Sequence, residues 1–339
     1  MKPIQQTFMT AKELIQIIAQ HLEAAKAANQ KPLIAIIGPT ASGKTALSIK
    51  LAKKFNGEIV SADSRQVYRE MDIGTGKVTQ DEAEGIPHHL IDIVNPDEKF
   101  HLVDYKKLAH EAINQILTRE KIPFLVGGTG LYLSAIIENY DLPPAPPQQE
   151  WRRKLEALAA EKGPEELHKM LQEADPEAAK QIHANNIRYV IRALEIVKTQ
   201  NKPKEGMKKP PLYQTLILSI EHPREVLYVQ IHERIDKMLE SGLVEETKTL
   251  LEKYPHNHYS MSSLGYGELI KAIEGEWSME EAIEKFKQHT RNYAKRQLTW
   301  FRRYKEVESI LGKDLAILGK DLAILGKDLA RICEELTEN

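Results

Sequence analysis

The sequence predicts an α/β fold, a mostly parallel sheet flanked by helices and carrying a helical insertion domain. Three observations lead there. Short apolar, β-rich runs at 33–37, 59–60, 90–93 and 124–126 alternate with helical patterns such as 103–117. Strands alternating with helices form a parallel sheet covered on both faces. The run at 33–37 ends in a glycine-rich turn that opens a helix reaching about Lys54. Proline-rich residues 142–147 then break the rhythm, and 150–198 read as helical before a β-type run returns at 215–220.

Taken in order, residues 1–31 are expected to be a helical extension, because Leu14, Ile15, Ile17, Ile18, Leu22 and Ala25 follow a helical period. Residues 32–142 form the catalytic core, 143–212 the helical insertion, and 213–308 a return to the core with helices at about 224–253 and 279–305. The prolines of 142–147 suit a stiff linker rather than a helix or central strand. Residues 309–339 are a tail built on a repeat of Leu-Gly-Lys-Asp-Leu-Ala-Ile that starts at Leu311. A glycine in each copy weakens a helix by about 1 kcal/mol, so the tail reads as a duplication without a catalytic role.

The 339 residues suffice for one large and one smaller domain, and the formal net charge is −2. No whole-molecule field attracts nucleic acid, so any such binding must come from a local patch. Cys333 is the only cysteine, which excludes an internal disulfide and cysteine-based zinc sites and fits a cytoplasmic location. No unbroken apolar run offers a signal sequence or a membrane span, and no arginine precedes Arg65, against an organelle transit peptide.

The chemistry begins at Gly38-Pro39-Thr40-Ala41-Ser42-Gly43-Lys44-Thr45, a G-x-x-x-x-G-K-T phosphate loop between a strand and a helix. Its glycines let successive N–H groups point into one concavity, the helix N-terminus adds partial positive charge, and Lys44 adds a full one. The Thr45 hydroxyl suits a Mg²⁺ shell. The core therefore looks like that of a P-loop NTPase, and the loop fits a polyphosphate without saying which.

Ser61-Ala62-Asp63-Ser64-Arg65-Gln66-Val67-Tyr68 follows the second strand. Carboxyl ends of parallel strands open on one crevice, which brings Asp63 near the phosphate loop. There it could hold Mg²⁺, act as general base or accept a hydrogen bond from an amine. Ser64 and Gln66 suit a base edge. Gly127-Gly128-Thr129-Gly130 again ends a strand in glycines and leaves Thr129 at the same rim. His88 and His89 lack the spacing of a metal site and read as packed or hydrogen-bonded. Residues 291–305 hold six basic residues, four aromatics and no acid, with Arg291, Lys295 and Arg302 near one helical face. That composition suits a phosphate backbone or a stacked base.

These segments, with Gly85-Ile86-Pro87-His88-His89-Leu90-Ile91-Asp92 and Arg192-Ala193-Leu194-Glu195, resemble in order the tRNA dimethylallyltransferases (tRNA isopentenyltransferases) of the IPP transferase family, over about 32–305. The resemblance implies transfer of a dimethylallyl group from dimethylallyl diphosphate to N6 of adenosine 37 in tRNAs reading codons that begin with U, with Mg²⁺, by a monomer. It implies that residues 38–45 hold the diphosphate, that Thr45 meets the metal, and that Asp63, Thr129 and Lys44 are catalytic. Asp63, Ser64, Arg65, Gln66, Thr129, Arg152, Asn185, Asn186, Arg188, Arg192, Arg291, Lys295, Arg296 and Gln297 would then meet tRNA, the insertion contributing its share. Gly267, Tyr189 and Gln230 depart from the family pattern, each standing where a cation is usual; Arg188, Arg192 and Arg234 are candidates to compensate. The alternatives are a P-loop kinase of a small metabolite, a prenyltransferase of free adenine nucleotides and a nonenzymatic RNA-binding module.

Overall fold

Five apolar positions in a row, Leu33 to Ile37, are buried completely, as a strand with helices on both faces requires. In the computed structural model this strand is β1 (Pro32–Ile37), and it is central. The structure describes residues 10–142, 148–200, 208–254 and 258–312. Apart from Leu311 and Gly312, the repeated tail lies outside the described residues, as does Cys333. With β2 (Gly57–Ser61), β3 (His88–His89), β4 (Ile122–Gly127), β5 (Gln214–Glu221) and β6 (Glu308–Leu311), β1 forms a six-stranded sheet in the order β3-β2-β4-β1-β5-β6. Every pairing is parallel.

The helices are α1 (Ala11–Ala27), α2 (Lys44–Lys54), α3 (Gln80–Ala83), α4 (Leu102–Thr118), α5 (Gly130–Ile137), α6 (Gln149–Lys162), α7 (Pro164–Ala174), α8 (Pro176–Gln181), α9 (Ile187–Gln200), α10 (Arg224–Glu240), α11 (Leu243–Lys253), α12 (Tyr266–Ile273) and α13 (Met279–Phe301). The alternation of β1 sorts them. Ile34 and Ile36 join one core with Leu14, Ile15 and Ile18 of α1 and Leu47 and Leu51 of α2. Leu33, Ala35 and Ile37 join the other with Tyr105 and Ile113 of α4 and Leu133 of α5. Within the N-terminal extension, Ala11–Ala27 is thus a packed helix. Its first turn is closed by Thr10, whose Oγ1 accepts the Glu13 N–H while its own N–H donates to Glu13 at 2.7 Å, a capping box.

The chain divides into two compact units, residues 1–137 with 211–339, and residues 138–210. The first holds the sheet and a third core, where α10 to α13 close over Val67, Tyr68 and Met71. The second is helical among its described residues, α6 to α9 packing around Leu155, Leu167, Leu171 and Val190. Inside it the carboxylate of Glu195, with 0 % side-chain exposure, takes Arg152 Nε at 2.7 Å, Arg192 at 3.2 Å and the Gln148 N–H at 2.9 Å.

Two expectations are corrected. The strand expected at 90–93 is the two-residue β3 at His88–His89. Leu90 and Asp92 adopt φ of +65° and +56°, a left-handed backbone that cannot extend a strand. His89 instead donates toward buried Glu58 at 2.7 Å, with Arg119 at 2.6 Å and Lys121 at 2.9 Å on the same carboxylate. Burial works to raise that carboxyl, but these hydrogen bonds hold it down at about 2. Secondly, Ser309, Ile310 and Leu311 are not tail but part of β6, paired with Ser219, Ile220 and Glu221.

Candidate active site

Register levels the ends of three strands. Ile37 pairs with Gly127 and Ser61 with Val126, so the segments after β1, β2 and β4 leave the sheet side by side at its carboxyl edge, where α/β folds bind ligands. These segments are the phosphate loop, the Asp63 turn and the Gly127–Gly130 turn. Glycine makes the approach possible. A Cβ on Gly127 would lie 2.2 Å from the Ala62 carbonyl oxygen, and one on Gly130 2.4 Å from the Trp300 ring.

The phosphate loop enters α2 through Gly43 at φ +88°, a conformation open to glycine at little cost. Lys44 Nζ donates to the Pro39 carbonyl at 2.6 Å. Burial, reinforced by the positive charge of Arg234 and opposed by Asp63, pushes Lys44 down to about 7. The turn after β2 is tied to the turn after β4: the Ser64 N–H donates to Thr129 Oγ1 at 3.0 Å and the Thr129 N–H to Ala62 O at 3.1 Å. Asp63 Oδ1 accepts the Arg65 N–H at 2.8 Å, leaving Oδ2 for other work.

Two cavities share this edge. One of about 90 Å³ is lined by Lys44, Thr45, Ser48 and Gln66. Another of about 450 Å³ is lined by Ser64, Arg65 and Thr129 and by an apolar wall of Ile231, Ile235, Met238 and Phe286. Asp63, Thr40, Arg234 and Tyr293 line both. Arg234 has no hydrogen bond or ion pair among the described residues; burial lowers its pKa, against the pull of Asp63 and Glu82. Burial, and then the charge of Asp63, push the Tyr293 phenol up to about 12, so it remains a neutral donor.

The expected residues separate into groups. Lys44, Thr45, Asp63, Ser64, Arg65, Gln66 and Thr129 meet at the cavities. The Gln66 amide is held within the protein, accepting from Ser61 Oγ at 3.1 Å and donating to Gly76 O at 3.1 Å. Gln297, grouped with RNA contacts from its place in the basic run, is 5 % exposed and braces two loops. Its Oε1 accepts the Thr40 N–H and its Nε2 donates to Gly128 O, both at 2.9 Å. Of the basic run, Arg296, Tyr293 and Trp300 line the larger cavity. Arg291 is tied to His232 at 2.5 Å, and Lys295 is exposed. Arg152 and Arg192 are engaged with Glu195, whereas Asn185, Asn186 and Arg188 are exposed on the helical unit. Sequence reading missed Tyr259 and the α10 wall, although the spacing of Ile231, Ile235 and Met238 already put them on one face. Of the departures, Gly267 has only the Ser262 backbone near its absent Cβ, at 3.7 Å, Tyr189 is 62 % exposed, and Gln230 Oε1 is buried without a partner among the described residues.

The IPP transferase family signature matches residues 66–304, more than half of the chain, and that of isopentenyl transferase matches 31–95. The chain belongs to the IPP transferase family. A tRNA dimethylallyltransferase of Bacillus licheniformis is 46% identical over 280 residues, 81% of this chain and 89% of the relative. One of Acetivibrio thermocellus is 48% identical over 281 residues, covering 81% and 90%. The full-length tRNA isopentenylpyrophosphate transferase of Bacillus halodurans aligns with TM-score 0.65 at 40% identity, over 90% of this chain and 100% of that one. A eukaryotic dimethylallyltransferase captured acting on tRNA aligns with TM-score 0.70 at 31% identity, over 89% and 80%. Small-metabolite kinases find no support in these relatives. Among the described residues, no helix is long and apolar enough to cross a membrane.

Proposed function

We propose that this protein transfers a dimethylallyl group from dimethylallyl diphosphate to N6 of adenosine 37 in the anticodon loop of tRNA, acting as a cytoplasmic monomer. One observation carries the reading. Asp63 and Arg234 line both the small polar cavity and the larger one with an apolar wall, so a departing diphosphate and an accepting base can meet at a shared boundary.

The phosphate-loop N–H groups, Lys44 and Arg234 bind the diphosphate. Ile231, Ile235 and Phe286 shield the five-carbon chain from water. The acceptor adenine leaves its stack to reach the cavity, as chemistry on a base demands. The allylic C1–O bond breaks with its electron pair passing to the diphosphate, the N6–C1 bond forms, and the N6 proton goes to Asp63. An allylic cation needs little nucleophilic help, so stabilising the leaving group and aligning N6 supply most of the acceleration. Thr129, held to Ser64, keeps the Asp63 turn in register.

Among the described residues, no group of three or more His, Cys, Asp or Glu could cage a metal. The Thr45 hydroxyl is nonetheless a hard oxygen donor on the small cavity, and it would hold Mg²⁺ there together with the bound diphosphate, leaving Asp63 free to act as base. Mg²⁺ there would neutralise charge on the departing diphosphate.

Purified protein with Mg²⁺ and radiolabelled dimethylallyl diphosphate is expected to label an anticodon stem-loop containing adenosine 37, and to leave AMP unlabelled. Asp63→Ala is expected to lower turnover at least about 100-fold. Full labelling by that variant would remove Asp63 as the base.

A further inference from the structure

Tyr259 has no part in the chemistry above, and its setting is unusual. It is 60 % exposed, yet it lines the 450 Å³ cavity beside Asp63, Ser64 and Thr129. The ring is held rather than free. The Arg65 guanidinium carbon lies 4.2 Å from its centroid, and Arg65 Nη1 donates to the Tyr259 carbonyl at 3.1 Å. Arg65 in turn donates its backbone N–H to Asp63. Tyr259, Arg65 and Asp63 are therefore linked from the rim of the cavity to its reacting edge, the guanidinium meeting the ring and the Arg65 backbone N–H meeting the carboxylate.

Each substrate group makes a different demand on such a residue. A diphosphate needs cations and N–H donors, which Lys44, Arg234 and the loop supply. A prenyl chain needs a dry wall, which the side chains of α10 supply. A purine needs a flat aromatic face held in a fixed orientation, and a ring anchored by a cation provides one. Arg65 occupies part of the Tyr259 ring, and its solvent exposure leaves the remainder accessible.

We propose that Tyr259 is an RNA-positioning residue, stacking on the target adenine at the mouth of the cavity while Arg65 supports it from behind. The inference rests on the transferase reading, and its test keeps the two separate. A stem-loop with 2-aminopurine in place of the target adenine lacks the N6 amine, so it binds without reacting, and its fluorescence is quenched by stacking on an aromatic ring. The complex with Tyr259→Ala is expected to be brighter than the wild-type complex, and that with Tyr259→Phe equal to wild type. With the adenine-containing stem-loop, Tyr259→Ala is expected to raise KM for RNA about tenfold while KM for dimethylallyl diphosphate and the melting temperature hold. Equal brightness of the wild-type and Tyr259→Ala complexes, or an equal rise in both KM values, would overturn the proposal. The fluorescence needs no turnover, so failure of the transferase reading is registered separately, as an unlabelled wild-type reaction.

Discussion

Lys44 is under opposing demands. It must be charged to hold an anion, yet burial and the neighbouring Arg234 bring its pKa to about 7. A bound diphosphate supplies the missing counter-charge, so binding takes up a proton whenever Lys44 starts neutral. Diphosphate affinity is thus expected to be greatest below about pH 7 and to fall as pH rises above it. Calorimetric titration with dimethylallyl diphosphate at pH 6.5 and 8.5 measures this, and Lys44→Arg, which stays charged throughout, should flatten the dependence relative to wild type. The same depression has the opposite effect on the free fold. A lysine with a lowered folded pKa penalises folding below that pKa, and the penalty fades as pH rises toward the ordinary lysine value. Asp63 and Thr129 were legible in the sequence because each follows a strand in a short polar turn. Tyr259 was not, because its place beside Arg65 depends on residues 194 apart in sequence coming together.

At the scale of elements, the site depends on how closely β2 and β4 approach at their carboxyl ends. The Gly-Gly-Thr-Gly turn is more than a flexible loop. Gly127 backs onto the Ala62 carbonyl, one residue before Asp63. Gly127→Ala must push backbone against backbone, which relaxes less readily than a side chain. It is expected to destabilise the protein by about 1–3 kcal/mol and to lower turnover more than it raises KM for the diphosphate, because the phosphate loop after β1 is spared. Thermal melting with steady-state kinetics would show both, and unchanged turnover would uncouple the turn from Asp63. The helix α13 teaches a related lesson. Its basic composition was plain in the sequence, but its function is divided by face. Arg296, Tyr293 and Trp300 look into the cavity, while Gln297 ties the phosphate loop to the turn after β4. Composition alone could not separate a bracing amide from an RNA contact, since Gln297 takes its role from loops 169 and 257 positions away.

At the scale of the molecule, two compact units carry separate cores. In the helical unit, Glu195 is the buried charge that Arg152, Arg192 and the Gln148 N–H satisfy. Burial alone would raise its pKa, but the Arg152 hydrogen bond and its companions lower it. The stability it contributes is therefore present above the ordinary glutamate value and is lost as pH falls through the lowered one. Glu195→Ala removes the buried carboxylate and leaves the partly exposed Arg152 and Arg192 to water, and is expected to cost about 1–3 kcal/mol. Limited proteolysis should then cut faster within 138–210, while calorimetric diphosphate binding by the sheet unit stays within about twofold, since its residues belong to the other unit. Loss of diphosphate binding in that variant would show that the two units do not fold independently.

The sequence by itself determined the parallel sheet, the helical insertion and the phosphate-binding, Asp63 and Thr129 turns, because each depends on periodicity or spacing within a few residues. It also marked the basic helix, though not which of its faces would be used. Tertiary structure alone decided that Leu90 and Asp92 leave the strand, that residues 309–311 join the sheet, and that Arg152, Arg192 and Gln297 bind within the protein. It also brought Arg234 to both cavities and Tyr259 onto Arg65. In these cases the deciding partner lies far away in the chain, and a side chain's role follows from the charge or surface that folding sets beside it.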